Sequence, residues 1–130
     1  MRTNTHTLEL SAPKNKVFGF LSDIENLPKW ATQFCKQLKK EKGRHKVVTP
    51  QGEIFFRVEG DARTGVIDMF GGPSEDQMAY WPARVVERPG YGSLFIFTAM
   101  QYPGVSDVDF ARQCDGLRHE FENVKSILER

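Results

Sequence analysis

Apolar residues recur near the end of the chain at Phe110, Cys114, Leu117, Phe121, Val124 and Leu128. The steps are four, three, four, three, four, which draws one stripe along one face of an α-helix. Arg112, Asp115, Arg118, Glu122 and Lys125 fall at other angles and read as the solvated side. Ser106-Asp107-Val108-Asp109 supplies an N-cap with an acid three residues later, a weak capping box, so the spacing predicts a helix from there to the C-terminus. Such a helix of about 24 residues would span about 36 Å.

Ahead of it the period changes from that of a helix to that of strands. Thr3 to Leu10 alternates and is rich in Thr, a first strand. Ser11-Ala12-Pro13 then opens a short helix carrying Val17, Phe18 and Leu21, with proline where a missing N–H costs nothing. A second helical piece is expected over Ile24 to Lys29, capped by Asp23 and closed by Trp30. Six strand-like runs follow: Phe34 to Glu41, Arg44 to Thr49, Glu53 to Glu59, Gly65 to Phe70, Met78 to Glu87 and Gly92 to Gln101. Turn residues separate them, and connections this short make neighbours antiparallel. Pro82 inside a run predicts a bulge or a locally unpaired edge. The run Gly92 to Gln101 is apolar on both faces, through Leu94, Phe95, Ile96, Phe97 and Ala99, so its outer face is expected to be covered, for instance by a second copy of the chain.

The expected class is α+β: a curved antiparallel sheet of about seven strands, in the order β-α-α-β6-α, around a long C-terminal helix. The chain of 130 residues has no repeat, linker or low-complexity tract and reads as a single domain over 1–130. Composition narrows the function classes. The formal net charge of +1 lacks the basic bias of a nucleic-acid binder. The basic stretch Lys36 to Lys46 reads as a solvated hairpin guarding a sheet edge, or else as a phosphate or lipid contact. No segment is long and apolar enough to span a membrane, and the start does not resemble a signal peptide, so the protein is expected to be cytoplasmic. Cys35 and Cys114 have no C-x-x-C spacing and read as reduced thiols, with a disulfide left open. Aromatic residues reach 12%, ten of them Phe, which suits large apolar faces.

The order of elements resembles the START-like, or SRPBCC, helix-grip superfamily, in its polyketide cyclase/dehydrase-like branch. The resemblance is carried by Ser11-Ala12-Pro13 with Val17, Phe18 and Leu21, by Asp23, Asn26 and Trp30, by Gly65-Val66-Ile67-Asp68, and by Gly104-Val105-Ser106-Asp107. It implies a cavity between sheet and helix that takes lipids, polyketides or quinone-like molecules, with a minority of members acting as enzymes. It transfers no catalytic residue.

A bent sheet and a straight helix cannot touch along their whole length, and either side chains or a guest must fill the gap. Candidate wall residues are Trp30, Phe56, Met69, Tyr80, Trp81, Phe95, Phe97, Phe110 and Cys114, each of which reads equally as packed core. Leu94 and Ile96 are the alternative to Phe95 and Phe97, because either face of that strand could line the cavity. Arg57, Asp68 and Arg84 are flanked by hydrophobes within strands. Facing out they are ordinary surface charges; facing in they would be ligand anchors or acid/base groups. His6, His45 and His119 read as structural or solvated. No H-E-x-x-H, Cys/His cluster, G-x-S-x-G or phosphate-binding Gly loop occurs, so neither a metal nor a cofactor is expected. The leading expectation is a binder or carrier of a small hydrophobic molecule. A cyclase/dehydratase-like enzyme and a protein-interaction module are the alternatives.

Overall fold

The computed structural model describes residues 2–129. Strand β1 (Thr3–Leu10) leads into helix α1 (Lys14–Leu21), a short 3-10 turn (Ile24–Asn26) and helix α2 (Leu27–Trp30). Strands β2 (Gln37–Glu41), β3 (Arg44–Thr49), β4 (Gly52–Asp61), β5 (Val66–Ser74), β6 (Gln77–Glu87) and β7 (Ser93–Met100) follow, and helix α3 (Asp107–Leu128) ends the chain. They form one sheet in the order β1-β7-β6-β5-β4-β3-β2, antiparallel throughout. This is the α+β arrangement expected from the pattern.

The local signals act as their chemistry dictates. Ser106 caps α3 by accepting a hydrogen bond from the Asp109 N–H at 3.1 Å. Asp23 caps the 3-10 turn by accepting from the Glu25 N–H at 3.0 Å. Pro82 sits just past the end of the β6–β7 ladder, which begins at Ala83↔Phe97, so its missing N–H breaks no bond with β7. Beyond that point the Tyr102 hydroxyl takes over, accepting from the Tyr80 N–H at 2.9 Å. The irregularity in register lies elsewhere, between Gly71 and Ser74 of β5. Several charges in the β2–β3 hairpin are paired across the surface, as in Lys39–Glu53 at 3.1 Å and Arg44–Glu75 at 2.8 Å.

One expected boundary moves. The run predicted as a strand from Phe34 begins only at Gln37. The Phe34 N–H is taken by the Ala31 carbonyl and by a carboxylate on α3, so it has no bond to give a neighbouring strand.

Side chains alternate across the sheet. Phe56, Ile67, Met69, Val85, Phe95 and Phe97 are buried on the inner face, under the helices. Leu94, Ile96 and Met100 turn outward and are half-buried. Alternation thus settles which side of β7 faces the core. The stripe of α3 lands on that core through Phe121, whose ring lies 5.0 Å from Phe95, 6.0 Å from Phe97 and 5.7 Å from the His6 imidazole. These contacts tie the terminal helix to β1 and β7. Phe121→Ala should therefore lower unfolding free energy by about 3–5 kcal/mol, measured by urea denaturation. Val108→Ala, at an exposed position of the same helix, should change it by less than about 0.5 kcal/mol.

Candidate functional site

The seam between the inner face and α3 is lined by aromatic rings. Phe34 lies 5.5 Å from Phe56 and 6.0 Å from Trp81, and Phe56 lies 6.1 Å from Trp81. Gly71 makes room for them on β5: a Cβ added there would come 2.9 Å from Phe56 and 3.2 Å from both Ile54 and Trp81. Phe56 is buried, whereas Phe34 and Trp81 are half-buried at the edge of the seam. Trp81 also packs against a second cluster, formed by Ala99 with Phe110 and Cys114 of α3, beside Val105 and Leu117. Deeper in, Trp30, Met69, Phe95 and Phe97 are buried in the main core. The Trp30 indole N–H is buried there without a hydrogen-bond partner, a cost of about 1–3 kcal/mol.

Four of the sequence candidates lie elsewhere. Strand alternation that turns Met69 and Trp81 inward turns Asp68 and Tyr80 outward. On that outer face the Tyr80 hydroxyl donates to Asp68 Oδ1 at 2.7 Å, which holds the phenol pKa above its ordinary value. Phe70 stacks on Tyr80 at 5.0 Å, and the Arg57 guanidinium sits 4.3 Å over Phe70 while its Nε donates to Glu59. Arg84 is exposed and its Nε donates to the Thr64 carbonyl at 3.0 Å. Tyr80 is therefore not a wall residue, and Arg57, Asp68 and Arg84 do not anchor a guest in the seam.

The sequence reading passed over Glu120. It precedes Phe121 on α3 and is almost completely buried, at 3% exposure. Its Oε2 accepts from the Gln33 N–H and the Phe34 N–H, both at 3.0 Å. Burial pushes its pKa up to about 7, against the opposing pull of those two N–H groups and of Lys36. Asn123 extends the same contact: its amide donates to the Trp30 carbonyl and to the Thr32 hydroxyl, both at 3.0 Å. Gly116, one turn before Glu120, lets Gln33 approach so closely that an added Cβ would lie 3.4 Å from the Gln33 Cβ. Gly116, Glu120 and Asn123 thus form a second stripe, at i, i+4 and i+7, that docks residues 31–36. That spacing was the available signal.

Other reactive groups are quiet. Cys35 and Cys114 are free, buried thiols whose pKa values burial raises, which keeps them protonated and weakly nucleophilic. His6 is buried against Phe121, and burial first, then Arg118, lowers its pKa. His45 meets Glu25 at 3.3 Å, and His119 is exposed. Among the described residues no three His, Cys, Asp or Glu side chains are grouped to hold a metal ion. Open depressions lie away from the Phe34, Phe56 and Trp81 rings, the second of them bordered by Phe110 and Cys114. One of about 530 Å³ lies between Pro13–Asn15, Phe18, Ala62 and Glu87, and one of about 350 Å³ lies between Arg2–Asn4 and the first half of α3.

No protein-family model matches the chain. No curated protein matches it either. Solved structures do. A START superfamily protein from Mycobacterium smegmatis is 13% identical, with a TM-score of 0.67 over 98% of this chain and 97% of that one. The di-domain ARO/CYC BexL of the BE-7585A biosynthetic pathway is 19% identical, with a TM-score of 0.71 over 99% of this chain and 47% of that one. The Aha1 dimer from Colwellia psychrerythraea is 16% identical, with a TM-score of 0.70 over 99% of this chain and 97% of that one. At these identities the likeness is one of fold, and that fold is the START-like helix grip.

Glu120 gives the site a measurable signature. Its pKa is about 7 when folded and near 4.5 when exposed. Between these values the folded chain holds a proton that the unfolded chain has released, so this group's contribution to stability falls as pH rises. Glu120→Gln keeps an oxygen for both N–H donors and removes the ionisation. Its stability relative to wild type should be near zero at about pH 4.5 and grow to a plateau above about pH 7, with a gain of at most about 3 kcal/mol. Paired denaturation curves across this range check it.

Proposed function

We propose that this chain binds a small hydrophobic molecule, of lipid, polyketide or quinone-like character, in the seam between the inner sheet face and α3, and that it does so without catalysis. Its 130 residues act in this reading as one START-like domain. The observation that carries the reading is the ring group Phe34, Phe56 and Trp81. Three large aromatic side chains meet there, and two of them, Phe34 and Trp81, are half-buried. Apolar pockets of this kind gain affinity from area and shape, with few polar groups to orient the guest.

A cyclase/dehydratase-like enzyme has less support. General acid–base work needs a titrating group beside the guest. The carboxylate and guanidinium candidates from the strands lie on the opposite face, the thiols beside the seam are held protonated by burial, and the one titrating carboxyl near the seam, Glu120, is engaged by the Gln33 and Phe34 N–H groups. The reading also includes action in the cytoplasm and pairing with a second copy over the half-buried outer residues Leu94, Ile96 and Met100 of β7. No helix among the described residues is long and apolar enough to cross a membrane.

Protein purified from its own host should show, in native mass spectrometry, an added mass belonging to a small apolar molecule. The neutral dye Nile red should bind and be displaced by that molecule. Trp81→Ala should weaken dye binding about tenfold, the scale of one aromatic contact with its buried area. Absence of both a retained guest and dye binding would overturn the reading.

A further inference from the structure

We propose that residues 31–36 are a displaceable plug: Phe34 fills part of the apolar seam, Glu120 and Asn123 latch the segment onto α3, and a neutral hydrophobic guest takes the place of the Phe34 ring when the segment lifts. This rests on the reading of the seam as a binding site and says how that site opens.

The segment lies between the end of α2 at Trp30 and the start of β2 at Gln37. Its Thr32, Gln33 and Lys36 side chains are exposed, while Phe34 is half-buried and Cys35 buried. Ala31 is buried as well, so lifting the segment uncovers one ring, one thiol and one methyl side chain. The segment's far end is tied to β3 by the Lys36 N–H, which donates to the Val48 carbonyl at 2.8 Å, and the bonds that hold residues 31–34 converge on one strip of α3. Glu120 accepts from two consecutive backbone N–H groups, and Asn123 donates to the Trp30 carbonyl and the Thr32 hydroxyl. Inward, the Phe34 ring meets Phe56 and Trp81. A ring on a short irregular segment is easier to exchange than one rooted in a strand, because fewer bonds to the rest of the molecule have to be released together.

The chemistry of the walls sets the guest. Phe56, Trp81 and Ile54 are apolar. The Glu120 carboxyl lies behind the plug, where it disfavours an anionic head group. A neutral, flat, largely apolar molecule fits these surroundings.

The approach of Gly116 to Gln33 offers a reversible bolt. The 3.4 Å that would separate Cβ atoms there is close to the usual span across a disulfide. In Gln33→Cys/Gly116→Cys, Nile red uptake measured by stopped-flow fluorescence should slow at least about tenfold when the bond is oxidised and recover on reduction. Glu120→Ala/Asn123→Ala should speed uptake, and amide exchange at residues 33 and 34, at least about tenfold, the scale of losing hydrogen bonds to a buried carboxyl. Equal uptake by the bolted and reduced forms would overturn the plug while leaving the seam as a binding site. No uptake by any form, the latch-free variant included, would overturn the binding reading itself. The bolt compares one polypeptide with itself, so it decides the matter even if the latch-free variant fails to fold.

Discussion

Helix α3 has to satisfy two partners at once, and the rest of the molecule is arranged around that constraint. Its apolar stripe is anchored by Phe121 on Phe95 and Phe97. A second stripe, displaced around the helix, holds residues 31–36 through Glu120 and Asn123. A rigid helix cannot turn one face without moving the other. The packing of Phe121 on β7 therefore fixes where the carboxyl of Glu120 lies, and through it where Phe34 enters the seam. Contacts that would otherwise be local, such as the end of α2, the start of β2 and the edge of the aromatic group, are coupled through one element.

The architecture was readable in the chain because each signal for it is local. The six-position stripe of α3, the Ser106 cap and the turn residues between strands depend on neighbours within a few positions. The start of β2 was not readable, because what ends the irregular segment there is Glu120, far away in sequence. Phe34 to Glu41 has the composition of a strand, and nothing nearby says that its first amide is already engaged. Tertiary partners overrode propensity at that point.

The site was readable in part, and the division follows the period of a strand. Phe56, Trp81, Phe110 and Cys114 reach the two aromatic and apolar clusters beside the seam. Tyr80 and Trp81 are adjacent, so only one of them can face inward, and no local feature says which. The same ambiguity held Asp68 and Arg84 open as inward groups; it resolves outward once Met69 is placed in the core. The buried polar group of the helix was hidden for a different reason. A glutamate beside an apolar stripe has the look of a solvated flank, and only the approach allowed by Gly116 turns that flank into an interface.

Glu120 is a costly way to hold a segment in place. The two N–H groups could be satisfied by a backbone carbonyl or a neutral amide without removing an ionisable group from water, and a carboxyl whose pKa is raised to about 7 carries that desolvation as a standing cost. The cost is relieved when the segment lifts and water reaches the carboxyl. A latch of this kind therefore keeps the closed and open arrangements closer in free energy than an apolar contact of the same area would. In a fold whose interior is already filled with its own rings, that near-balance is what leaves room for another molecule to compete with Phe34.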